Sequence, residues 1–423
     1  MKVAPSEGSG MAVAQATTPA RRTRLPTSFS SLQYRNYRLL WFGTLVSSSG
    51  DWMDQIALNW LVYQLTGSAV YLGVLNLCRL APVLLFTLVG GVVADRVERR
   101  RLVFTTQTSA MVLAFVLATL VATGVVSFWM VLVIAVGRGI TLSFNQPARQ
   151  SLISDLVPPQ SLMNAIALNS ATLNLTRIIG PAIGGGLIAT VGVAGAFYVN
   201  GASFLAVLLA LALMRFNDQR AAARPRTSVA GEMASGLGYL RGEPALRTLV
   251  MLALVPMIFG MPYQTMLTVF AKDVLQVGGG GLGVLTACSG VGALAGALAI
   301  ASMGAGRVRF MLLGLMAFGA ALIVFSASPW LPLSVVALVA VGISQQVYTT
   351  TNNTLIQLHV APEYRGRVLS MLFLNRGMVP LGTMVAGFAT AAFGPQVAVG
   401  AMAAVLVVIA ALTARFVPAL RTL

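Results

Sequence analysis

The chain has 423 residues, of which 57% are hydrophobic and only 9% charged, with a mean hydropathy of +0.83. A water-soluble domain of this size carries far more charge, so the composition excludes one and makes the bilayer the solvent. The formal net charge of +17 suggests a nucleic-acid partner, but Lys272 is the single basic residue in the loops of one side, and apart from four arginines inside apolar runs all others fall on the opposite side. That one-sidedness is the positive-inside pattern of a membrane protein, which removes nucleic acid as a partner.

Cys78 and Cys288 both lie in apolar runs, so no disulfide framework is implied, and the single histidine, His359, is expected in a cytoplasmic loop. No His, Cys and carboxylate grouping suits a metal, no nucleophile–base pair suggests an enzyme, and no Walker-type loop suggests ATP. The chain therefore needs no cofactor, and an electrochemical gradient of protons is the expected energy source.

Taken in order, residues 1–33 read as a disordered cytoplasmic tail with no secretory signal. Apolar runs follow at 39–64, 69–94, 102–123, 127–149, 161–190 and 195–216. After a basic linker, 217–243, they resume at 245–271, 280–302, 309–328, 332–356, 368–393 and 396–417. Each is near the roughly 20 residues that a spanning helix needs, and helices are the solution that satisfies the backbone in lipid. The reading is an all-α membrane protein of twelve transmembrane helices in two bundles of six, 34–216 and 244–423, with both termini cytoplasmic and the chain a monomer in the bilayer.

Six ionisable residues fall at membrane depth: Asp51, Asp54, Arg79, Arg138, Arg177 and Arg376. A charge at the centre of a spanning helix costs about 2.5–3.5 kcal/mol on insertion scales, so these face the interior, pair or neutralise. Asp51 and Asp54 share a helix face, and Arg79 lies at similar depth on the next helix. One reading is a static clamp of an acid with Arg79. The other leaves one acid to titrate as a proton-coupling device, with Asp54 preferred.

The turn after the second run reads Gly91-Val-Val-Ala-Asp95-Arg96-Val-Glu-Arg99-Arg100-Arg101, and the fifth run carries Gly180-Pro181-Ala-Ile-Gly184-Gly185. Arg177 precedes Pro181 as Arg376 precedes Pro380, a faint repeat between the halves. The first stretch resembles the loop 2–3 signature of the major facilitator superfamily, although Glu98 replaces its second glycine. The second is similar to the antiporter signature of that superfamily's exporters. Gly50-Asp51 through Tyr63, Thr66-Gly67-Ser68 and Pro147-Ala148-Arg149-Gln150 resemble the branch of macrolide-efflux proteins and the enterobactin exporter.

That resemblance implies alternating access and export of a small amphipathic compound, drug or siderophore-like, by proton antiport. It makes Gly91, Asp95, Arg96, Arg99, Arg100, Arg101 and Arg149 a gating loop, with Asp95 accepting from the start of helix eleven. The equivalent loop of the second half, Gly296 to Arg309, lacks the aspartate. In the resembled fold helices one, four, seven and ten line the cavity. The candidates for substrate contact are then Asn59, Tyr63, Asn145, Gln146, Tyr263, Gln264, Gln345, Gln346, Tyr348 and Asn352. A facilitated importer and a non-transporting membrane scaffold are the alternative readings.

Overall fold

The computed structural model describes residues 27–214, 235, 238–303, 307–364, 367–368, 372 and 375–417. Every regular element among them is helical: α1 (Arg35–Thr66), α2 (Ala69–Arg96), α3 (Arg99–Ala122), α4 (Phe128–Leu156), α5 (Pro159–Leu213), α6 (Pro244–Phe259), α7 (Tyr263–Val269), α8 (Gly278–Met303), α9 (Val308–Ala327), α10 (Leu331–His359), α11 (Val379–Phe393) and α12 (Pro395–Phe416). Nine helical stretches among the described residues are long and apolar enough to cross a membrane, with Pro244–Val274, which holds α6 and α7, counting as one. α1 is not among them, because Asp51 and Asp54 interrupt its apolar character, and in the eleventh run the described α-helix, α11, has only 15 residues.

The boundaries follow local chemistry. α1 stops where Gly67 takes a left-handed conformation (φ 62°) and its N–H returns to the Tyr63 carbonyl at 3.0 Å, the usual glycine termination. α5 is too long for one crossing. At Gly192 (φ 75°, ψ 179°) its backbone leaves the helix, and the chain doubles back. The Tyr37 hydroxyl reaches the Ala165 carbonyl before the break at 2.9 Å, while Arg35 reaches the Leu213 carbonyl after it at 3.1 Å. Both arms of α5 therefore lie against α1, and the fifth and sixth runs form a hairpin.

Three expectations need correction. Thr27–Gln33 is a short 3-10 segment, not part of a tail; Ser31 is buried and its hydroxyl donates to Asn164 at 2.6 Å. Residues 1–26 lie outside the described ones, as do 215–234 of the linker. The run 245–271 is not one helix. α6 ends at Phe259, α7 begins after Pro262, and Phe270–Val274 forms a π-helical turn, as Pro256 and Pro262 remove ladder donors. His359 closes α10, its ring nitrogen 2.8 Å from the Leu355 carbonyl, and is not in a loop.

The elements before residue 214 pack on one another, as do those after 238, and the two sets meet along α5 with α8 and α2 with α11. At the end marked by Gly67 and Gly192 the two sets touch closely. A side chain on Gly185 would begin 2.5 Å from the Gly283 α-carbon, and one on Gly387 would begin 2.7 Å from the Ala69 carbonyl. Asn76 donates to Thr265 at 3.3 Å. The Tyr63 hydroxyl donates to Asp273, and the Lys272 ammonium sits 5.0 Å from the centre of the Tyr63 ring. This end is a closed seam. Large apolar side chains cover the outside, with Trp129, Val133, Leu85 and Phe393 each at least 70% exposed, a surface that only lipid tolerates.

Candidate functional site

Close backbone approach between α2 and α4 builds the site. A side chain on Gly139 would begin 2.3 Å from the Arg79 carbonyl, and one on Gly90 2.4 Å from the Ser143 carbonyl. Only glycine permits such contact. α1 approaches the returning arm of α5 in the same way, for a side chain on Gly50 would begin 2.5 Å from the Asn200 side-chain oxygen. Asp54, one turn along from Gly50, then accepts a hydrogen bond from the Asn200 amide at 3.2 Å.

The buried charges pair across this packing. Asp54 has no exposed side-chain surface and forms an ion pair with Arg138 of α4. Arg138 also lies 4.0 Å from Asp51, whose side chain is 47% exposed. The expected clamp to Arg79 is not formed; Arg138 occupies that place because it projects from α4 toward the Asp54 face of α1. The acid expected to titrate, Asp54, is enclosed, whereas Asp51 faces open space.

That space is a cavity of about 220 Å³, lined by Asp51, Arg79, Arg138, Asn145, Gln146 and Arg149 of the expected residues. Trp52, Gln55, Gln107 and Thr141 also line it and were not anticipated. The signal for the α4 contribution was present: Arg138, Thr141, Leu142, Asn145, Gln146 and Arg149 lie three and four apart, one continuous helix face. Gln55 follows Asp51 by four residues on the same principle. Gln107 lies on α3, which the family pattern does not place at the cavity. Asn145 is held by its amide, which donates to the Thr106 hydroxyl at 2.8 Å.

Other candidates are placed elsewhere. Asn59 and Tyr63 are buried near the closed seam, with Tyr63 engaged by Asp273. Tyr348 donates to the Leu252 carbonyl at 2.6 Å, Gln345 contacts the Met261 sulfur at 3.0 Å, and Gln346 donates to Thr350 at 2.9 Å. Buried side-chain oxygens of Tyr263, Gln345 and Asn352 lack hydrogen-bond partners. Gln264 is half-buried on α7. None of these lines the cavity.

The helix-five glycines are all buried. Gly180 and Gly184 face Trp52 and Met53 of α1, Gly185 faces Gly283 of α8, and Pro181 sits inside the helix beside them. One buried guanidinium nitrogen of Arg177 lacks a hydrogen-bond partner. In the basic loop, Gly91 lies within α2 and Arg96 ends it. Arg99 pairs with Asp155 at 2.5 Å, Arg101 with Glu98 at 2.6 Å, and Arg100 approaches the Ala212 carbonyl at 3.5 Å. Arg99 is thus held by Asp155 of α4. The side chains of Asp95 and Arg376, and most of the segment before α11, lie outside the described residues, so the expected contact of Asp95 with helix eleven does too.

Asn200→Ala is expected to lower stability by about 1–2 kcal/mol, the cost of leaving one side of a buried charged hydrogen bond unmade. Thermal melting of purified protein checks it; an unchanged melting temperature would remove Asn200 from the network.

The same fold and relatives appear among known proteins. The family described as transmembrane secretion effector matches residues 26–422. The multidrug efflux pump Tap of Mycobacterium tuberculosis is 32% identical over 410 residues, covering 91% of this chain and 94% of its own. The staphyloferrin A transporter of Staphylococcus aureus is 28% identical, covering 82% and 87% respectively, and macrolide efflux protein A of Streptococcus pyogenes is 24% identical over 80% and 86%. Among solved structures, a bacterial homolog of the human lysosomal transporter Spinster, inward-facing and unoccupied, aligns with a TM-score of 0.73 at 20% identity over 92% of this chain and 97% of that one. A POT family transporter in complex with a thioalcohol-conjugated peptide aligns with a TM-score of 0.72 at 12% identity, covering 91% and 96%. With its apolar helices and its matched length, the chain belongs to the transmembrane secretion effector family of major facilitator transporters, multi-pass membrane proteins that carry small molecules and are not enzymes.

Proposed function

We propose that this protein exports a small amphipathic compound, drug or siderophore-like, across the bacterial inner membrane in exchange for protons. Two bundles of six helices, 34–216 and 244–423, make twelve crossings with both termini cytoplasmic, and the monomer is the working unit. The positive-inside rule supports the orientation, because the closed seam carries Lys272 while the arginines of the α2–α3 turn lie at the other end. The seam is then external. Relatives whose names denote efflux support the direction of transport.

The observation that carries the exchange reading is Asp51. Its half-exposed carboxyl faces the cavity beside the ion pair of Arg138, which lines the same cavity, with the enclosed Asp54. An acid that reaches water and substrate in the same space trades one for the other as the two halves rock. Arg138 of that pair is the guanidinium that also comes within 4.0 Å of Asp51.

The test is proton movement by purified protein in liposomes when substrate is added, comparing wild type with Asp51→Asn. Wild type is expected to release protons, and Asp51→Asn to lose that signal while melting within a few degrees of wild type. Substrate movement by wild type with no proton signal would sink the exchange reading and leave a facilitated carrier.

A further inference from the structure

The cavity holds more positive charge than negative. Its walls carry Arg79, Arg138, Arg149 and Asp51, and Asp54 is already committed to Arg138. Among the described residues Asp51 alone remains in the cavity to answer Arg79 and Arg149. Arg149 is only 8% exposed, yet among the described residues neither Arg149 nor Arg79 has a carboxylate oxygen within ion-pair distance. Asp155 and Glu98, acids at the same end of the bundle, are occupied by Arg99 and Arg101.

Two uncommitted guanidinium groups at this depth are costly unless something anionic visits them. The planar fork of arginine fits an acid group with two oxygens, and the Gln107 and Gln146 amides beside them add donors. Size narrows the fit. A cavity of about 220 Å³ holds about seven waters at ~30 Å³ each, less than the roughly 300–1,000 Å³ of a pocket for a whole drug-sized ligand. It takes the charged end of a substrate, whose apolar remainder rests on Trp52, Leu142, Leu173 and Phe204.

Asp51 faces the same space and feels both Arg79 and Arg149. A purely anionic ligand beside the Asp51 carboxylate would carry a proton in with it, which is co-transport. A ligand that also brings a basic nitrogen to Asp51 displaces the proton instead, which is exchange.

We infer that the site selects amphoteric substrates: an acid group of carboxylate type taken by Arg149 and Arg79, and a basic nitrogen taken by Asp51. The nitrogen half rests on the exchange reading above; the acid half stands without it.

The experiment measures binding of three probes to the purified full-length protein: norfloxacin (acid and amine), ethidium (cation only) and carboxyfluorescein (acid only). Wild type is expected to bind norfloxacin at least tenfold more tightly than ethidium. Arg149→Gln should lose about tenfold in affinity for norfloxacin and carboxyfluorescein and leave ethidium unchanged, with Arg149→Lys recovering part of the loss. Asp51→Asn should weaken norfloxacin and ethidium but tighten carboxyfluorescein. Melting curves on the same samples separate misfolding from lost recognition, and the wild-type ranking needs no variant. Ethidium binding more tightly than norfloxacin, or Arg149→Gln weakening all three equally, overturns the inference. Acid-selective binding that persists in a protein moving no protons supports the role of Arg149 and Arg79 and sinks the exchange reading alone.

Discussion

Asp54→Leu is expected to abolish transport and to destabilise the protein by about 3–5 kcal/mol, the cost of leaving a buried charge without its partner. Arg138 then keeps a positive charge with only Asp51, 4.0 Å away, near it. Arginine cannot shed its proton to escape. The reciprocal change, Arg138→Leu, is expected to cost less, because a carboxylic acid can become neutral where a guanidinium cannot. The double variant Asp54→Asn with Arg138→Gln should recover most of the stability and none of the transport, because the two amides can bond each other yet hold no fixed charge against Asp51. Melting of the purified variants and substrate flux in liposomes measure the two effects. If the stability losses of Asp54→Asn and Arg138→Gln measured singly simply add in the double variant, the pair is not a unit.

Gly185→Ala is expected to shift the balance of states away from closure at the Gly67 end by roughly 5- to 150-fold, and Gly185→Leu to hold that end open and stop cycling. The reason is steric. The first atom of any side chain on Gly185 would lie 2.5 Å from the Gly283 α-carbon and 2.9 Å from the Gly279 carbonyl, all backbone that cannot swing aside. Forcing extra atoms into such packing costs about 1–3 kcal/mol, and a difference of that size between two states is the stated shift. Gly283→Ala should act alike, because its new carbon meets Gly185 and the Pro181 carbonyl at 2.7 Å. Distances between spin labels on the external ends of α5 and α8 read the shift directly. Unchanged distance distributions in Gly185→Leu would show that this contact does not govern closure.

Much of the fold was legible in the sequence because lipid imposes a length. An apolar run near 20 residues has one structural outcome, and the boundaries expected for α2, α3, α8, α9 and α12 lie within three residues of those observed. The break in 245–271 was less visible, because Pro256 and Pro262 are easily read as bends within a span, and only packing against α9 (where Gly260 meets the Phe318 ring) shows where the helix stops. For the site, charges out of place were the signal, and Asp51, Asp54, Arg79 and Arg138 do come together. Their pairing was not legible, because it depends on how α1 and α4 are rotated, which sequence spacing does not give. The same missing rotation explains why Tyr348 and Gln345 were chosen by depth yet bond the helices beside them. Polar uncharged residues such as Gln107 carry no surplus cost in the sequence and so gave no warning.

The charged lining of the cavity comes wholly from α1, α2 and α4, and this has a consequence for inheritance. The described second half supplies none of this lining and meets the first half along α5 with α8 and α2 with α11. A hybrid that joins residues 34–216 to the second half of a relative keeps all four charged lining groups in register, with Trp52, Leu142, Leu173 and Phe204 beside them, while the seam changes. Diversification among such carriers then proceeds most freely by altering the second half, with the electrostatic machinery passed on intact in a single contiguous stretch of chain.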